Sequence, residues 1–263
     1  MGNIAAYYAL RRGHRVLALD LDPQGQLGKV LGVDVRGARR SAVDLLVDAV
    51  LDPAALDDAG PARGGVGGDA DLPWLPTQVA GLDVVVANKA LALRAGWEDG
   101  DDDPTARLRR RLDASPRVRR YDFVLMDAPP SFGPLTLNVL RAAHEVVIPV
   151  PLTYLALDGC AELVRTLHTV RERYGNPGLR ISMVVPTFYR RTRLAHEVLD
   201  ALKRRFPKEI CHTVLGTHVK IDEAQSRGIS VFQHAPRDRG ARALAAVAEE
   251  LELRGGEDVE APA

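Results

Sequence analysis

The sequence predicts an α/β fold, with a mostly parallel sheet and helices on both faces. Short apolar runs recur at residues 16–21, 82–87, 123–126, 146–150 and 181–186, and several are rich in Val and Ile. Such runs are typical of parallel strands buried on both faces. Helical patterns separate most of them, and strands that alternate with helices specify a parallel sheet.

The remaining elements follow from periodicity and turn signals. A helix is predicted over residues 1–12, ending at Gly13. A short helix or loop follows at 27–35 and a Gly- and Asp-rich surface loop at 57–71. An acidic, turn-forming segment covers 96–105, and a short strand is expected at 214–215. The other amphipathic helices are predicted at 41–51, 107–113, 155–174, 194–206 and 241–253.

The length of 263 residues allows one large α/β domain or two small ones. We predict one domain over residues 1–253. The polar, Pro-ended segment 254–263 is predicted to be a disordered tail.

Composition narrows the function classes. Lys plus Arg equals Asp plus Glu at 35 each, so a nucleic acid or membrane partner needs a local charged patch. Cys160 and Cys211 lie far apart without CxxC spacing, which argues against a zinc site or a disulfide framework. No apolar run approaches the roughly 18 residues of a membrane span, and no signal-peptide layout is present. We therefore expect a cytoplasmic protein.

Two carboxylates follow the first apolar run, in Leu19-Asp-Leu-Asp-Pro-Gln-Gly25. Asp20 and Asp22 stand at the predicted carboxyl end of a strand, which is where open α/β sheets bind ligands. Residues two apart in a strand point to the same face. The alternative is a strand that simply stops at polar turn residues.

Asp127 ends the run 123–126 in the same way, so three carboxylates are expected to border one crevice. In phosphate-binding α/β enzymes an Asp at this place holds Mg²⁺ or its water, because Mg²⁺ prefers oxygen ligands and retains much of its hydration. Pro129 and Pro130 fix an extended exit from the strand, which suits a segment that responds to a bound phosphate.

The motifs together resemble the ParA/Soj family of partitioning ATPases. They are RVLALDLDPQGQLGKVLGVD, GLDVVVAN, YDFVLMDAPPSFGPLTLNVLRAA, VVIPVPLTYLALDG and SRGISVFQHAPRDRGARAL, in this order. The resemblance implies a P-loop NTPase-like fold, ATP and Mg²⁺ as cofactors, and a homodimer that binds double-stranded DNA non-specifically. It also implies a ParB-like centromere-binding partner, a role in chromosome or plasmid segregation, and association with the nucleoid.

The same resemblance implies residue roles. Asp22 matches the acidic residue that positions the attacking water. Asp127 matches the Walker B aspartate, and Asp20 is its neighbour in the Mg²⁺ and phosphate network. Pro129 belongs to the cofactor-binding segment after Asp127.

The family opens with a strand and the loop KGGVGKTT, which cradles the phosphates, and neither is in this sequence. One explanation is a start site placed too far downstream; the other is a non-hydrolysing binding or scaffold protein that has lost its nucleotide site. We favour the first, since the missing strand would be central and would leave unpaired backbone groups in the interior. As printed, the chain is expected to hydrolyse ATP poorly or not at all.

Arginines precede and follow the late helices, notably Arg190, Arg191 and Arg193, with further cations at Arg237, Arg239 and Arg242. Exposed arginines often form only a solvated face. Given the resemblance, Arg190, Arg191, Arg193 and Lys220 are predicted to contact DNA phosphates. The acidic tail argues against a membrane helix of the kind found in the related MinD proteins.

Overall fold

The structure is a computed structural model, and it describes residues 1–35, 37–38, 40–46, 73–89, 91, 103–131 and 133–256. The predicted loop at 57–71 therefore lies outside the described residues. So do the end of the predicted helix 41–51, most of the acidic segment 96–105 and the end of the predicted tail.

The chain groups into two compact units. The first contains Met1–Ala142 and Gln225–Ser230, and the second contains Ala143–Ala224 and Val231–Ala263. The predicted extent of a single domain, residues 1–253, stays a prediction.

The first unit is built on a four-stranded sheet. Its strands, in chain order, are β1 (Val16–Asp20), β2 (Trp74–Pro76), β3 (Leu82–Val85) and β4 (Phe123–Asp127). The order across the sheet is β2-β3-β1-β4. Strands β3 and β4 run parallel to β1 on either side, and β2 pairs antiparallel with β3. The expectation of a mostly parallel α/β fold is confirmed, although β2 was not predicted.

Strand β1 occupies the middle of this sheet because its sequence can be buried throughout. All five of its residues are buried, including Asp20. Leu17 and Leu19 join the main apolar core with residues of β3 and of the surrounding helices. The uninterrupted apolar run is therefore the reason why this strand has a neighbour on each side.

Among the described residues of this unit, five α-helices accompany the sheet. They are α1 (Gly2–Tyr7), α2 (Gln26–Val30), α3 (Val43–Leu46), α4 (Arg107–Ala114) and α5 (Pro134–Ala142). Helix α1 continues as a π-helical turn, Tyr8–Arg12, and ends at Gly13 with a left-handed φ of 73°. The basic last turn and Gly stop of the predicted first helix are thereby confirmed.

The second unit contains the parallel pair β5 (Glu145–Pro151) and β6 (Arg180–Thr187). Its helices are α6 (Ala156–Arg173), α7 (Arg193–Arg205), α8 (Val219–Ser226), α9 (Val231–His234) and α10 (Arg239–Gly256). Most of the predicted elements are found within one or two residues of their predicted bounds. The last two residues of α8 belong to the first unit, which includes Gln225–Ser230.

Two predictions for this part of the chain are wrong. The strand expected at 214–215 is not formed; instead the neighbouring Gly216 makes a single parallel bridge with Tyr189. Helix α10 extends through Gly256, so the predicted tail does not start at Arg254. The reason is that Arg254 hydrogen-bonds three carbonyl groups, of Ser182, Lys208 and Ile210.

Within the residues that the structure describes, no helix combines the length and apolar character needed to cross a membrane.

Candidate functional site

The parallel pairing of β1 with β4 places two carboxylates side by side. Asp20 is the register partner of Asp127, and both residues end their strands. The Leu21 N–H donates to the Asp127 carbonyl oxygen at 2.9 Å, which extends the pairing one step beyond the strands. Two sequence signals of the same kind thus meet at the carboxyl edge of the sheet, where α/β folds bind ligands.

Asp20 is completely buried and is held by backbone donors. The Leu27 N–H donates to one carboxylate oxygen at 3.0 Å and the Asp22 N–H to the other at 3.3 Å. Burial raises the pKa of Asp20 to about 6; the Leu27 hydrogen bond opposes this shift and the charge of Asp127 adds to it. The first turn of α2 is therefore tied to the end of β1 through this carboxylate.

Asp22 lies in the turn after β1 and shapes it. Its Oδ1 accepts a hydrogen bond from the Gln24 N–H at 2.9 Å, an Asx turn. The turn closes at Gly25, whose φ is 59° and whose added Cβ would lie 2.7 Å from the Ala87 carbonyl oxygen. Glycine is thus required at position 25. Asp22 is half-buried and lies at the carboxyl edge of the sheet.

Asp127 is half-buried, and its carboxylate accepts no hydrogen bond from any residue that the structure describes. Burial raises the pKa of Asp127; the N-terminal ammonium opposes the shift and Asp22 adds to it. A partly desolvated carboxylate with free lone pairs suits a cation or a hydrated cation.

These carboxylates fit a magnesium site in which the substrate supplies the remaining ligands. Among the described residues, no group of three or more His, Cys, Asp or Glu side chains could hold a metal ion by itself. Mg²⁺ is usually bound through one or two carboxylates, with water and substrate phosphates filling its octahedral shell. Asp127, with Asp20 beside it, can supply the carboxylate ligands of such a site. Pro129 lies half-buried just beyond the strand.

The predicted DNA-contacting residues all lie in the second unit, and all are exposed. Arg190 and Arg191 form the turn before α7 and make no ion pair with a described residue. Arg193 pairs with Glu197 at 2.9 Å, and Lys220 in α8 pairs with Glu223 at 2.7 Å. Two of the four predicted cations are therefore uncompensated, and two are partly neutralised.

Two features of these regions were not predicted. The Leu27 N–H, the shorter of the two donors to Asp20, belongs to a residue with no polar side chain to signal the role. Phe188, next to the arginine turn, has a positive φ of 53°, and an aromatic residue carries no sequence signal for that conformation.

Comparison with known proteins agrees with the motifs. Residues 2–181 match the family described as AAA domain. The chain is 39% identical over 253 residues to the chromosome-partitioning ATPase Soj of Thermus thermophilus, covering 96% of this chain and 88% of that protein. It is 33% identical over 250 residues to the sporulation initiation inhibitor protein Soj of Bacillus subtilis, covering 92% and 88%.

Solved structures share the fold. Cobyrinic acid a,c-diamide synthase from Mycobacterium smegmatis, with a bound ATP analogue and magnesium, superimposes with a TM-score of 0.73 at 26% identity, covering 99% of this chain and 90% of that one. The septum site-determining protein MinD from Pyrococcus horikoshii, complexed with Mg-ADP, has a TM-score of 0.68 at 19% identity, covering 99% and 92%. With its motifs, strand order and relatives in agreement, the chain belongs to the ParA/Soj family of partitioning ATPases.

Proposed function

We propose that the protein is an ATP- and Mg²⁺-dependent ATPase that dimerises, binds double-stranded DNA non-specifically and drives chromosome or plasmid segregation. The observation that carries the proposal is the pairing of Asp20 with Asp127 at the carboxyl edge of β1 and β4. Relatives named as chromosome-partitioning ATPases support it.

The residues of the edge divide the work. Asp127, whose carboxylate is not engaged by described neighbours, would hold Mg²⁺ or one of its waters. Asp20 fixes the start of α2, and its charge makes the electrostatic potential beside Asp127 more negative. Asp22, at the carboxyl edge of the sheet, would orient the attacking water. Mg²⁺ held at Asp127 would neutralise the negative charge that develops on the phosphoryl group of ATP.

The second unit would supply the DNA contacts. Arg190 and Arg191 are exposed and free to meet phosphates, and such contacts position a protein on duplex DNA without reading its sequence. A ParB-like centromere-binding partner and a nucleoid-associated, cytoplasmic location complete the proposal. The competing function is a non-hydrolysing binding or scaffold protein on the same fold.

Nucleotide-dependent assembly tests this proposal. The full-length protein, expressed with any in-frame coding sequence that precedes Met1, is measured by light scattering and by retention on duplex DNA. Mg-ATP is expected to convert it to a dimer and to raise DNA retention, and EDTA should reverse both effects. If neither the molar mass nor the retention on DNA changes with Mg-ATP, the scaffold function is favoured.

Arg191→Glu tests the DNA part separately. Placing a negative charge beside the phosphates is expected to reduce DNA affinity by at least about tenfold and to lower the slope of affinity against salt by about one. Dimerisation should be unchanged. Arg173→Glu, an exposed charge reversal at the end of α6, is the control. Equal DNA binding by the two variants would refute the assigned patch.

A further inference from the structure

Phe188 combines two unfavourable features. Among the residues that the structure describes, it is the only non-glycine residue with a positive φ, 53°. Its side chain is also 63% exposed, so apolar burial within the protein does not offset the energetic cost of the strained backbone. Strain of this kind persists where the surrounding structure enforces it, and it is concentrated at functional sites.

The neighbouring residues enforce the conformation. Phe188 directly follows β6, and the Tyr189 N–H donates to the Leu215 carbonyl oxygen at 3.0 Å. The Tyr189 hydroxyl lies 3.2 Å from His196 Nε2, and the two rings meet edge to face at 5.7 Å. The Tyr189 ring is thus anchored to α7, and Phe188 projects from a fixed turn.

Charge identifies the kind of partner. Within residues 187–197 there are three arginines and one acidic residue, Glu197. Glu197 is already engaged by Arg193, which leaves Arg190 and Arg191 exposed on the turn beside Phe188. An apolar ring next to uncompensated guanidinium groups matches a polyanion that also offers apolar surface. Duplex DNA has both, in its phosphates and in its sugar and base edges.

We propose that Phe188 contacts the sugar and base edges of duplex DNA while Arg190 and Arg191 hold the adjacent phosphates. Minor-groove binders, many architectural proteins among them, place apolar side chains, Phe included, against and between the base steps of duplex DNA. The inference rests on the proposed DNA binding, and it adds a contact that does not depend on charge. The strained backbone serves to present the ring outward.

The test is Phe188→Asn in the full-length protein with Mg-ATP, using fluorescence anisotropy of a labelled duplex at several salt concentrations. Asn tolerates positive φ, so the melting temperature should equal or exceed that of the wild type. DNA affinity is expected to fall about tenfold at every salt concentration, the loss of one ring contact. The slope against salt should be unchanged because no phosphate contact is removed.

Leu253→Asn is the matched control, since this leucine of α10 is 70% exposed and the adjacent Arg254 is engaged with carbonyl groups and Glu250. It should leave DNA affinity unchanged. If wild-type protein binds DNA and Phe188→Asn binds equally well, the inference is overturned and the proposed function stands. If Phe188→Asn loses only stimulation by a protein partner, the ring docks on protein and the inference is again overturned. Wild-type protein that never binds DNA would overturn both.

Discussion

Gly32 leaves no room for a side chain. Its φ is 70°, and a Cβ placed on it would lie 2.4 Å from the carbonyl oxygen of Gly228, in the segment that joins the first unit from late in the chain. The clash is with backbone, which cannot rotate away. This contact connects the end of α2, whose first turn holds Asp20, to residues nearly two hundred positions later.

We therefore expect Gly32→Ala to lower the free energy of unfolding by about 2–4 kcal/mol, from strain and displaced backbone together. Gly13→Ala is the control, because Gly13 has nearly the same φ, 73°, but nothing within 4 Å of an added Cβ. It should cost only about 1 kcal/mol. Urea unfolding of the two variants measures the difference, and equal losses would contradict the packing explanation.

The buried Asp20 makes stability depend on pH in the Mg²⁺- and nucleotide-free protein. Its folded pKa, about 6, lies above the ordinary value of 3.8, so between these values the native state binds a proton that the unfolded state has released. Stability therefore falls as pH rises from about 4 to 6, and the full loss is about 3 kcal/mol. Asp127, whose pKa burial also raises, contributes with the same sign.

Unfolding in urea at pH 4.5, 5.5 and 7 measures the slope of stability against pH. Asp20→Asn is expected to reduce it, leaving the part that belongs to Asp127. Asp113→Asn, a change at an exposed carboxylate of α4, should leave the slope as it is. A wild-type stability that rises from pH 4.5 to 7 would show that the buried carboxylate does not control this range.

At the scale of elements, α10 is attached through its last turns. Arg254 donates to the carbonyl oxygens of Lys208 at 3.0 Å and Ile210 at 2.9 Å, and it pairs with Glu250 one turn earlier. Glu250 in turn accepts from the Cys211 thiol at 3.1 Å. The end of the helix thereby satisfies carbonyl groups of a segment that forms only single bridges to β6 and its flank.

Arg254→Ala should lower the free energy of unfolding by about 2–4 kcal/mol, since it leaves the carbonyl acceptors, two of them part-buried, without their donor and removes the cation that pairs with Glu250. Arg242→Ala lies on the same helix, is exposed, and should change stability by no more than about 0.5 kcal/mol. Chemical unfolding followed by circular dichroism compares them. Similar losses for both would assign the effect to helix propensity instead.

At the scale of the whole molecule, the two units are interleaved along the chain. The first unit includes Gln225–Ser230, and the chain on both sides of that segment belongs to the second unit. Unfolding the second unit would release both ends of the segment that contacts Gly32. We therefore expect the two units to unfold in one transition.

The Arg254→Ala variant tests this coupling. Trp74 lies in β2 of the first unit, so its fluorescence in a Trp97→Phe background reports on that unit, whereas Arg254→Ala lies in the second. In a cooperative molecule the fluorescence midpoint shifts by as much as the circular dichroism midpoint. A fluorescence midpoint that remains at the wild-type value would mean that the units unfold independently.

What the sequence by itself determined is local. The apolar run of β1, the Asp-Pro-Gln-Gly turn and the second run ending at Asp127 each have a short-range physical signal: complete burial, fixed backbone angles, or a carboxylate at a strand end. Because parallel strands align their carboxyl ends, even the proximity of Asp20 and Asp127 could be predicted. The basic last turn and Gly stop of α1 were equally readable.

Only the tertiary structure decided the features that depend on distant partners. The contact between Gly32 and Gly228, the carbonyl groups held by Arg254 and the hydrogen bond from Leu27 to Asp20 join residues whose pairing no local pattern encodes. The same holds for Phe188, since an aromatic residue adopts a positive φ only where surrounding contacts outweigh its local preference. Local chemistry places the carboxylates on their strands, and long-range packing determines which atoms remain open to a ligand.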